Sequence, residues 1–220
     1  MASARFTRDE VILALDVLYF SKSKSLTANA PEIKELSHLL NQLPIHPDLH
    51  NREGFRSPSG IAQQLRIFRL SMKNGEKSPQ IGKPFFEVFF DFEEDMEALH
   101  KIAQSIQRNQ ALFSGPLGSV DEESFPEGAL LGRLHLNMER KASSNTELSE
   151  ECEICHFKPE LQYKPCGSLL QRHLIVPMDE LDGTKKYNEE DFLTVCPTCH
   201  AALHRYRPWL TKENCGDVLC

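Results

Sequence analysis

The sequence predicts an α+β fold with two domains, a helical N-terminal domain and a small zinc-stabilised C-terminal domain. The first half of the chain carries apolar residues at helical spacing behind helix-capping residues. Residues 113–128 then collect glycine, proline, serine and acidic residues, which is the composition of a linker. Beyond them, four of the seven cysteines form two Cys-x2-Cys pairs. We therefore expect domains at 1–112 and 129–220, joined by a linker at 113–128.

Helices are expected throughout the N-terminal domain. Thr7 and Glu10 match a capping box ahead of apolar residues at helical spacing, which predicts a first helix to about Tyr19. A second helix should begin near Pro31 and stop at Pro44, because proline suits the first turn of a helix and ends one elsewhere.

The third predicted helix carries polar side chains that suit DNA. Ser57 can cap it, and its buried face is expected to contain Ile61, Leu65 and Phe68. Four polar side chains are left for its other faces: Gln63, Gln64, Arg66 and Arg69. Because arginine and glutamine pair with base edges or phosphates, the helix is compatible with a helix-turn-helix-like DNA reader. A solvated helix surface is the alternative.

The net charge of −7 is unevenly distributed. Residues 52–83 contain seven basic and two acidic residues, so this segment can bind phosphates although the whole chain is acidic. The DNA contacts we expect are Arg52, Arg56, Arg66 and Arg69, with Gln63 and Gln64 as base contacts. The aromatic residues of 85–92 are expected to pack in the core rather than to stack on bases.

Composition also bears on the compartment. No apolar run approaches the roughly 20 residues that span a bilayer, and the first residues lack the layout of a secretion signal. We expect a cytoplasmic protein with no membrane partner. Its cysteines are then reduced, and metal ligation explains the paired ones better than disulfides do.

The strongest chemical signal is a candidate zinc site at Cys152, Cys155, Cys196 and Cys199. Two thiolate pairs can close a tetrahedral site, and a structural zinc ion replaces part of the core of a small domain. The other cysteines, Cys166, Cys215 and Cys220, lack this spacing and are interpreted as ordinary thiols.

Three histidines suggest a second metal. His200 and His204 are four residues apart, so they lie on one side of a helix, and His173 is in an apolar stretch typical of a strand. Together they could hold a divalent ion with open positions for phosphate and water. The alternative is that one helix histidine belongs to the zinc site and that His173 has only a structural role.

At these residues the chain resembles a known family. The motifs CEIC, LLQRHLIVPMDEL and EEDFLTVCPTCHAALH resemble the HNH nuclease module, a ββα-metal fold with an added four-cysteine zinc. Over nearly its whole length, through TRDEVILALDVLY, ELSHLLNQLPIHP, FRSPSGIAQQLRIFR, EGALLGRLHLNMERK and HRYRPWLT, the chain resembles McrA-type modification-dependent restriction endonucleases.

The resemblance implies a role for each motif residue. The zinc thiolates are the four cysteines already named, and the catalytic divalent ion (Mg²⁺, Mn²⁺ or Ni²⁺) would be held by His173, His200 and His204. The family's middle asparagine, often aspartate, corresponds to Asp191. The histidine that deprotonates the attacking water corresponds to Leu174, which has no proton acceptor. Since general-base catalysis contributes about 10²- to 10⁴-fold, cutting should be severely slowed.

Two functions follow from the resemblance. The first is an HNH-type, metal-dependent DNA endonuclease of restriction or defence, acting on modified DNA with weakened catalysis. The second is a catalytically impaired HNH protein that acts as a DNA-binding sensor or regulator. The expected partner is double-stranded DNA, methylated or phosphorothioated, and whether a homodimer is needed to cut both strands is left open.

Overall fold

The computed structural model describes residues 4–23, 25–49, 52–75, 78–113, 125–145, 148–164 and 167–220. The chain divides into two compact units, Met1–Gly118 and Ser119–Cys220. The fold is mixed and mostly helical, and the described residues contain one two-stranded sheet. This agrees with the α+β prediction. No helix in the described part of the chain is long and apolar enough to cross a membrane.

The N-terminal unit is helical in its described ranges. Its α-helices are α1 (Arg8–Phe20), α2 (Pro31–Gln42), α3 (Pro58–Asn74), α4 (Lys83–Phe92) and α5 (Met96–Arg108). The predicted capping box starts α1: the Glu10 carboxylate accepts from the Thr7 N–H at 2.9 Å, and Thr7 Oγ1 accepts from the Glu10 N–H. Pro31 occupies the first turn of α2, and the Ser57 side chain caps α3. These three predicted helices are confirmed.

Helix α1 is the centre of this unit, because it contacts each of the other four helices. From α3, the predicted stripe of Ile61, Leu65 and Phe68 is buried. The Phe68 ring lies 5.6 Å from Phe85 and 5.7 Å from Phe86, both buried on α4. The expectation that residues 85–92 pack in the core therefore holds for these two rings, whereas Phe90 is 47% exposed.

A buried ion pair joins α1 to the loop before α3. The Arg56 guanidinium donates to both Glu10 oxygens, at 2.5 and 2.8 Å, and to the carbonyls of Ala4 and Arg5, both at 2.9 Å. The Arg56 side chain is 2% exposed. This corrects the expectation that Arg56 contacts DNA, because its guanidinium is bound inside the unit and does not reach the surface.

The C-terminal unit contains a strand–strand–helix arrangement. Its described elements are α6 (Ala129–Asn145), the single turn α7 (Pro159–Gln162), β1 (Gln171–Leu174), β2 (Phe192–Val195) and α8 (Pro197–Arg205). The strands are antiparallel, with His173 opposite Leu193, and α6 and α8 both contact β1. The predicted strand around His173 and the predicted helix bearing His200 and His204 are confirmed.

The structure describes only part of the predicted linker. Residues 114–124 lie outside the described residues, whereas Phe125 and Glu127 are buried in the C-terminal unit. A Cβ atom on Gly132 of α6 would lie 2.6 Å from the Phe125 ring, so glycine is required for this approach. Arg207 also binds Glu127, at 2.7 and 2.8 Å. The folded C-terminal unit therefore begins before residue 129.

The Glu10–Arg56 pair should govern the stability of the N-terminal unit. Burial would raise the pKa of Glu10, but hydrogen bonds from His46 and Arg56 outweigh it and lower that pKa. The paired carboxylate therefore stabilises the fold above the unfolded pKa of about 4.3, and this is lost as pH falls through the lower folded value. Arg56→Leu leaves a buried unpaired charge, and we expect it to cost about 3–5 kcal/mol.

Amide hydrogen exchange of α1 measures this cost. Arg66→Leu removes the same charge from an exposed position on α3 and should change stability by less than about 0.5 kcal/mol. Equal effects of the two substitutions would contradict a structural role for Arg56.

Candidate functional site

The four predicted zinc cysteines come together. Cys152 and Cys155 belong to a tight turn in which the His156 N–H donates to the Cys152 carbonyl at 2.9 Å. This turn is joined to β2 by Glu153, whose N–H donates to the Thr194 carbonyl at 2.9 Å. The second pair starts α8, because Cys196 is its N-cap and the Cys196 sulfur accepts from the Cys199 N–H. Local backbone geometry therefore directs both pairs to one point.

Their spacing suits one zinc ion. All four sulfur atoms lie within 4.8 Å of one another, and those of Cys155 and Cys196 are 3.7 Å apart. A tetrahedral ion with Zn–S distances of about 2.3 Å separates its sulfurs by about 3.8 Å. Burial and the adjacent thiols of Cys155 and Cys196 raise the pKa of Cys199, so four thiolates here require a cation. Of the other cysteines, Cys166 lies outside the described residues.

The three predicted metal histidines also converge. His173 projects from β1 toward α8, which carries His200 and His204. The Nε2 atoms of His200 and His204 are 2.9 Å apart, and the His173 ring centre lies 4.9 Å from that of His204. The helical spacing of four residues and the strand position are sufficient to produce this arrangement, as the sequence predicted.

Helix α6 adds two residues that sequence reasoning missed, His135 and Glu139. One Glu139 oxygen, Oε1, lies 2.9 Å from His135 Nε2 and 3.0 Å from His173 Nδ1. The other, Oε2, lies 3.0 Å from His200 Nε2 and 3.4 Å from His204 Nε2. Their i,i+4 spacing in LHLNME was a visible signal, because it puts an imidazole and a carboxylate on one side of a helix.

Residues outside the cluster contact two of the histidine rings around the Glu139 carboxylate. His200 Nδ1 lies 2.6 Å from Gln171 Oε1, an acceptor that favours a proton on Nδ1 and leaves Nε2 directed at the cluster. Trp209 stacks on His173 with ring centres 5.7 Å apart, and its Nε1–H donates to the Ile175 carbonyl at 2.9 Å. These contacts orient the rings of His200 and His173.

Burial and neighbouring groups shift the pKa values of two histidines of the cluster and of Glu139. Burial lowers the pKa of His173 to about 3, outweighing the opposite effect of Glu139, and burial likewise lowers the pKa of His204. Burial would raise the pKa of Glu139, but the neighbouring imidazoles hold it well below its usual range. Neutral imidazoles around an ionised carboxylate are the forms that bind a cation.

The donor set fits a divalent transition metal. Ligand atoms of His135, Glu139, His173 and His204 lie within 4.8 Å of one another, and all four residues are buried. Imidazole nitrogen with one carboxylate suits zinc, iron or nickel better than magnesium, which prefers oxygen. His200 is the most open member, with 15% of its side chain exposed. A site that encloses most of its ligands resembles structural metal sites more than open catalytic ones.

Two predicted catalytic positions contribute no side-chain atom to the cluster. The Leu174 side chain is fully buried, and its N–H donates to Glu139 Oε1 at 3.0 Å. Asp191 was expected to be catalytic, but its carboxylate accepts from the Asn188 N–H at 2.7 Å and its carbonyl accepts from the Ile175 N–H. In this structure Asp191 therefore fixes the turn before β2 and does not join the cluster.

The predicted DNA contacts differ in accessibility. Arg52, Gln63, Arg66 and Arg69 are exposed, and Gln64 is half-buried. Arg66 and Arg69 lie on α3 with the exposed residues Leu70 and Lys73. Spacings of three and four residues place them on one side of the helix, as a basic surface requires. Arg56 is excluded from this surface by its burial.

Comparisons of the chain with protein-family models, with curated proteins and with solved structures found no match.

Removing the zinc should unfold the C-terminal unit, since so small a unit depends on the metal for its core. We expect Cys199→Ala to abolish binding of one equivalent of zinc and to shift Trp209 fluorescence toward that of an exposed indole. Cys220→Ala, at an exposed cysteine outside the cluster, should retain both properties. Elemental analysis after dialysis, with fluorescence on the same samples, measures the effect. Full zinc retention by Cys199→Ala would rule out this ligand set.

Proposed function

We propose that this protein is a DNA-binding protein of the HNH nuclease type in which cutting is impaired, and that it acts as a sensor or regulator. The observation that carries the proposal is the site itself. Three imidazoles from a strand–strand–helix unit converge as a metal-dependent nuclease requires, while the position expected to hold the base is the buried Leu174.

DNA binding is supported by the exposed side of α3. Arg66, Arg69 and Lys73 give it positive charge, and Gln63 beside them offers an amide that can pair with base edges. No acidic residue lies within α3. This helix can therefore bind phosphates while the protein as a whole remains acidic. The base or backbone modification that distinguishes the preferred DNA, methyl or phosphorothioate, belongs to the same proposal.

Impaired cutting is supported by two features of the C-terminal unit. Leucine cannot accept a proton, so the general-base contribution of about 10²- to 10⁴-fold is lost. In addition, Glu139 directs a carboxylate into the centre of the histidines, where it would compete with a phosphate for the metal. Its negative charge also opposes the approach of a phosphodiester.

The second ion would be held by His135, Glu139, His173, His200 and His204. When bound, such an ion supplies Lewis acidity and acidifies a water molecule. Three of the protein's residues would support such an ion: Glu139 balances its charge, Gln171 orients His200, and Trp209 covers His173.

A second candidate is a slow HNH endonuclease with an altered site. The specific observation in its favour is that His200 reaches the edge of the cluster with 15% of its side chain exposed. A coordination position beside His200 would be open to solvent and to a phosphate. Cutting would then proceed without a protein base and at a strongly reduced rate.

The second metal should depend on Glu139. In zinc-loaded protein we expect Glu139→Gln, which keeps the shape and removes the charge, to weaken cobalt(II) binding about 10- to 100-fold. Titration followed by visible absorption measures it, and Glu150→Gln, at an exposed glutamate, should match the wild type. Equal affinities of Glu139→Gln and wild type would show that the carboxylate is not a ligand.

Measurements of DNA binding and DNA cleavage distinguish the two functions. We expect the full chain to bind duplex DNA with an affinity that falls as salt rises, and to leave methylated, phosphorothioate and plain plasmids intact with magnesium, manganese or nickel. Replacing both Arg66 and Arg69 by alanine should reduce the salt slope by about 2, because each phosphate contact contributes about 1.

Lys34→Ala removes a positive charge from an exposed position on α2, and this variant should bind DNA as the wild type does. Metal-dependent nicking by the wild type that is lost in His200→Ala would favour the slow nuclease. Absence of DNA affinity at low salt would exclude both functions and leave a zinc-stabilised interaction module.

A further inference from the structure

A cavity of about 250 Å³ opens in the N-terminal unit at the start of α3. Its walls come from the segment before α1, the first two turns of α3 and the start of α4. The cavity could not be predicted from local patterns, because the three segments are far apart along the chain. A space of this size between two helix starts can admit a small planar molecule.

The floor of the cavity is apolar and aromatic. Ile61 and Phe85 are each 1% exposed, and the Phe6 ring lies 5.4 Å from that of Phe85. The Arg56 guanidinium stacks on Phe6 at 3.9 Å from the ring centre. Since Arg56 is bound to Glu10 and to two backbone carbonyls, this wall is rigid in the absence of a ligand.

The rim supplies hydrogen-bonding groups that are not engaged elsewhere. Gln64 and Gln80 both line the cavity, and within the described part of the chain neither side-chain amide has a hydrogen-bond partner. An amide offers two donors and one acceptor, which matches the mixed edge of a heterocyclic base. Gly60 and Gly82 also line the cavity, and neither has a side chain.

The charge around the opening selects against cations. None of the lining residues is acidic, and Arg5 is exposed at the rim. The first turn of α3, a helix of 17 residues, also directs its positive end toward this region. A ligand with an anionic group outside the cavity and a neutral planar ring inside it is therefore favoured.

We propose that this cavity binds a nucleobase, carried either by a free nucleotide or by a base turned out of duplex DNA. The half-buried Phe6 offers the apolar surface for the ring, backed by the buried Ile61 and Phe85, and Gln64 and Gln80 read its polar edge. The second source rests on the proposed DNA-binding function, since the basic side of α3 would have to hold the duplex beside the cavity. The first source does not depend on it.

The test uses the full chain and two probes. In the first arm, calorimetry measures binding of the 5′-monophosphates of deoxycytidine, 5-methyldeoxycytidine, thymidine, deoxyadenosine and deoxyguanosine. We expect at least one nucleotide to bind and Gln64→Leu to weaken its binding about tenfold, the effect of losing about one hydrogen bond. Gln107→Leu makes the same chemical change at an exposed position on α5, outside the cavity. This variant should bind the same ligand as tightly as the wild type does.

The second arm uses a duplex that contains 2-aminopurine, whose fluorescence rises when the base leaves the stack. We expect the wild type to raise this signal and Gly60→Ile, which adds a branched side chain to a residue that lines the cavity, to abolish the rise while keeping duplex affinity. Ser59→Ile places the same side chain on the neighbouring exposed position and should behave as the wild type. Thermal melting of each variant establishes that it is folded.

The outcomes separate the two proposals. Nucleotide binding that Gly60→Ile removes, without duplex affinity, would support the cavity with a free nucleotide as its ligand and would overturn the proposed function. Duplex affinity with no nucleotide binding and no fluorescence rise would keep the function and overturn the cavity proposal. Nucleotide binding that survives both Gln64→Leu and Gly60→Ile would place the ligand elsewhere and also overturn the cavity proposal.

Discussion

The contact between Glu139 and the imidazoles around it determines the arrangement of the C-terminal unit. A carboxylate buried this deeply is stable only when charge and hydrogen bonds compensate it. The compensation comes from three elements: His135 from α6 itself, His173 from β1, and His200 with His204 from α8. The hairpin has only four residues in each strand, and this polar centre adds to the apolar cluster that holds it.

The histidines and Glu139 are held together without the side chain of Leu174. His173 faces α8, whereas Leu174 contacts Glu139 through its backbone N–H. The residue type at position 174 can therefore differ while the carboxylate and the imidazoles stay in place. Under the proposed function, convergence of the histidines alone is weak evidence for cutting.

Local signals accounted for what the sequence predicted correctly. The capping box at Thr7 and Glu10, the Cys-x2-Cys spacing and the four-residue step from His200 to His204 are each satisfied within a few residues. The wrong predictions concern contacts between residues that are far apart along the chain. Arg56 was expected on the surface, but its partner Glu10 lies 46 residues away and on a buried helix.

The same limit applies to the candidate metal site and to the cavity. Glu139 is 34 residues from His173, and no local pattern indicates which side of α6 will face the hairpin. Phe6, Gln64 and Phe85 are likewise brought together only by packing. Residue types therefore indicated the chemistry of the histidines, while the complete ligand set required the fold.

Helix α8 carries residues of both candidate metal sites. Its first turn carries the Cys196 and Cys199 sulfurs, and its next turns carry His200 and His204. Under the proposed function, an ion at one site would fix α8 and so lower the entropic cost of ordering the ligands of the other. By linkage, the second ion would strengthen binding of the first by the same free energy, typically about 1–3 kcal/mol. A shortage of either metal would then weaken the binding of both ions.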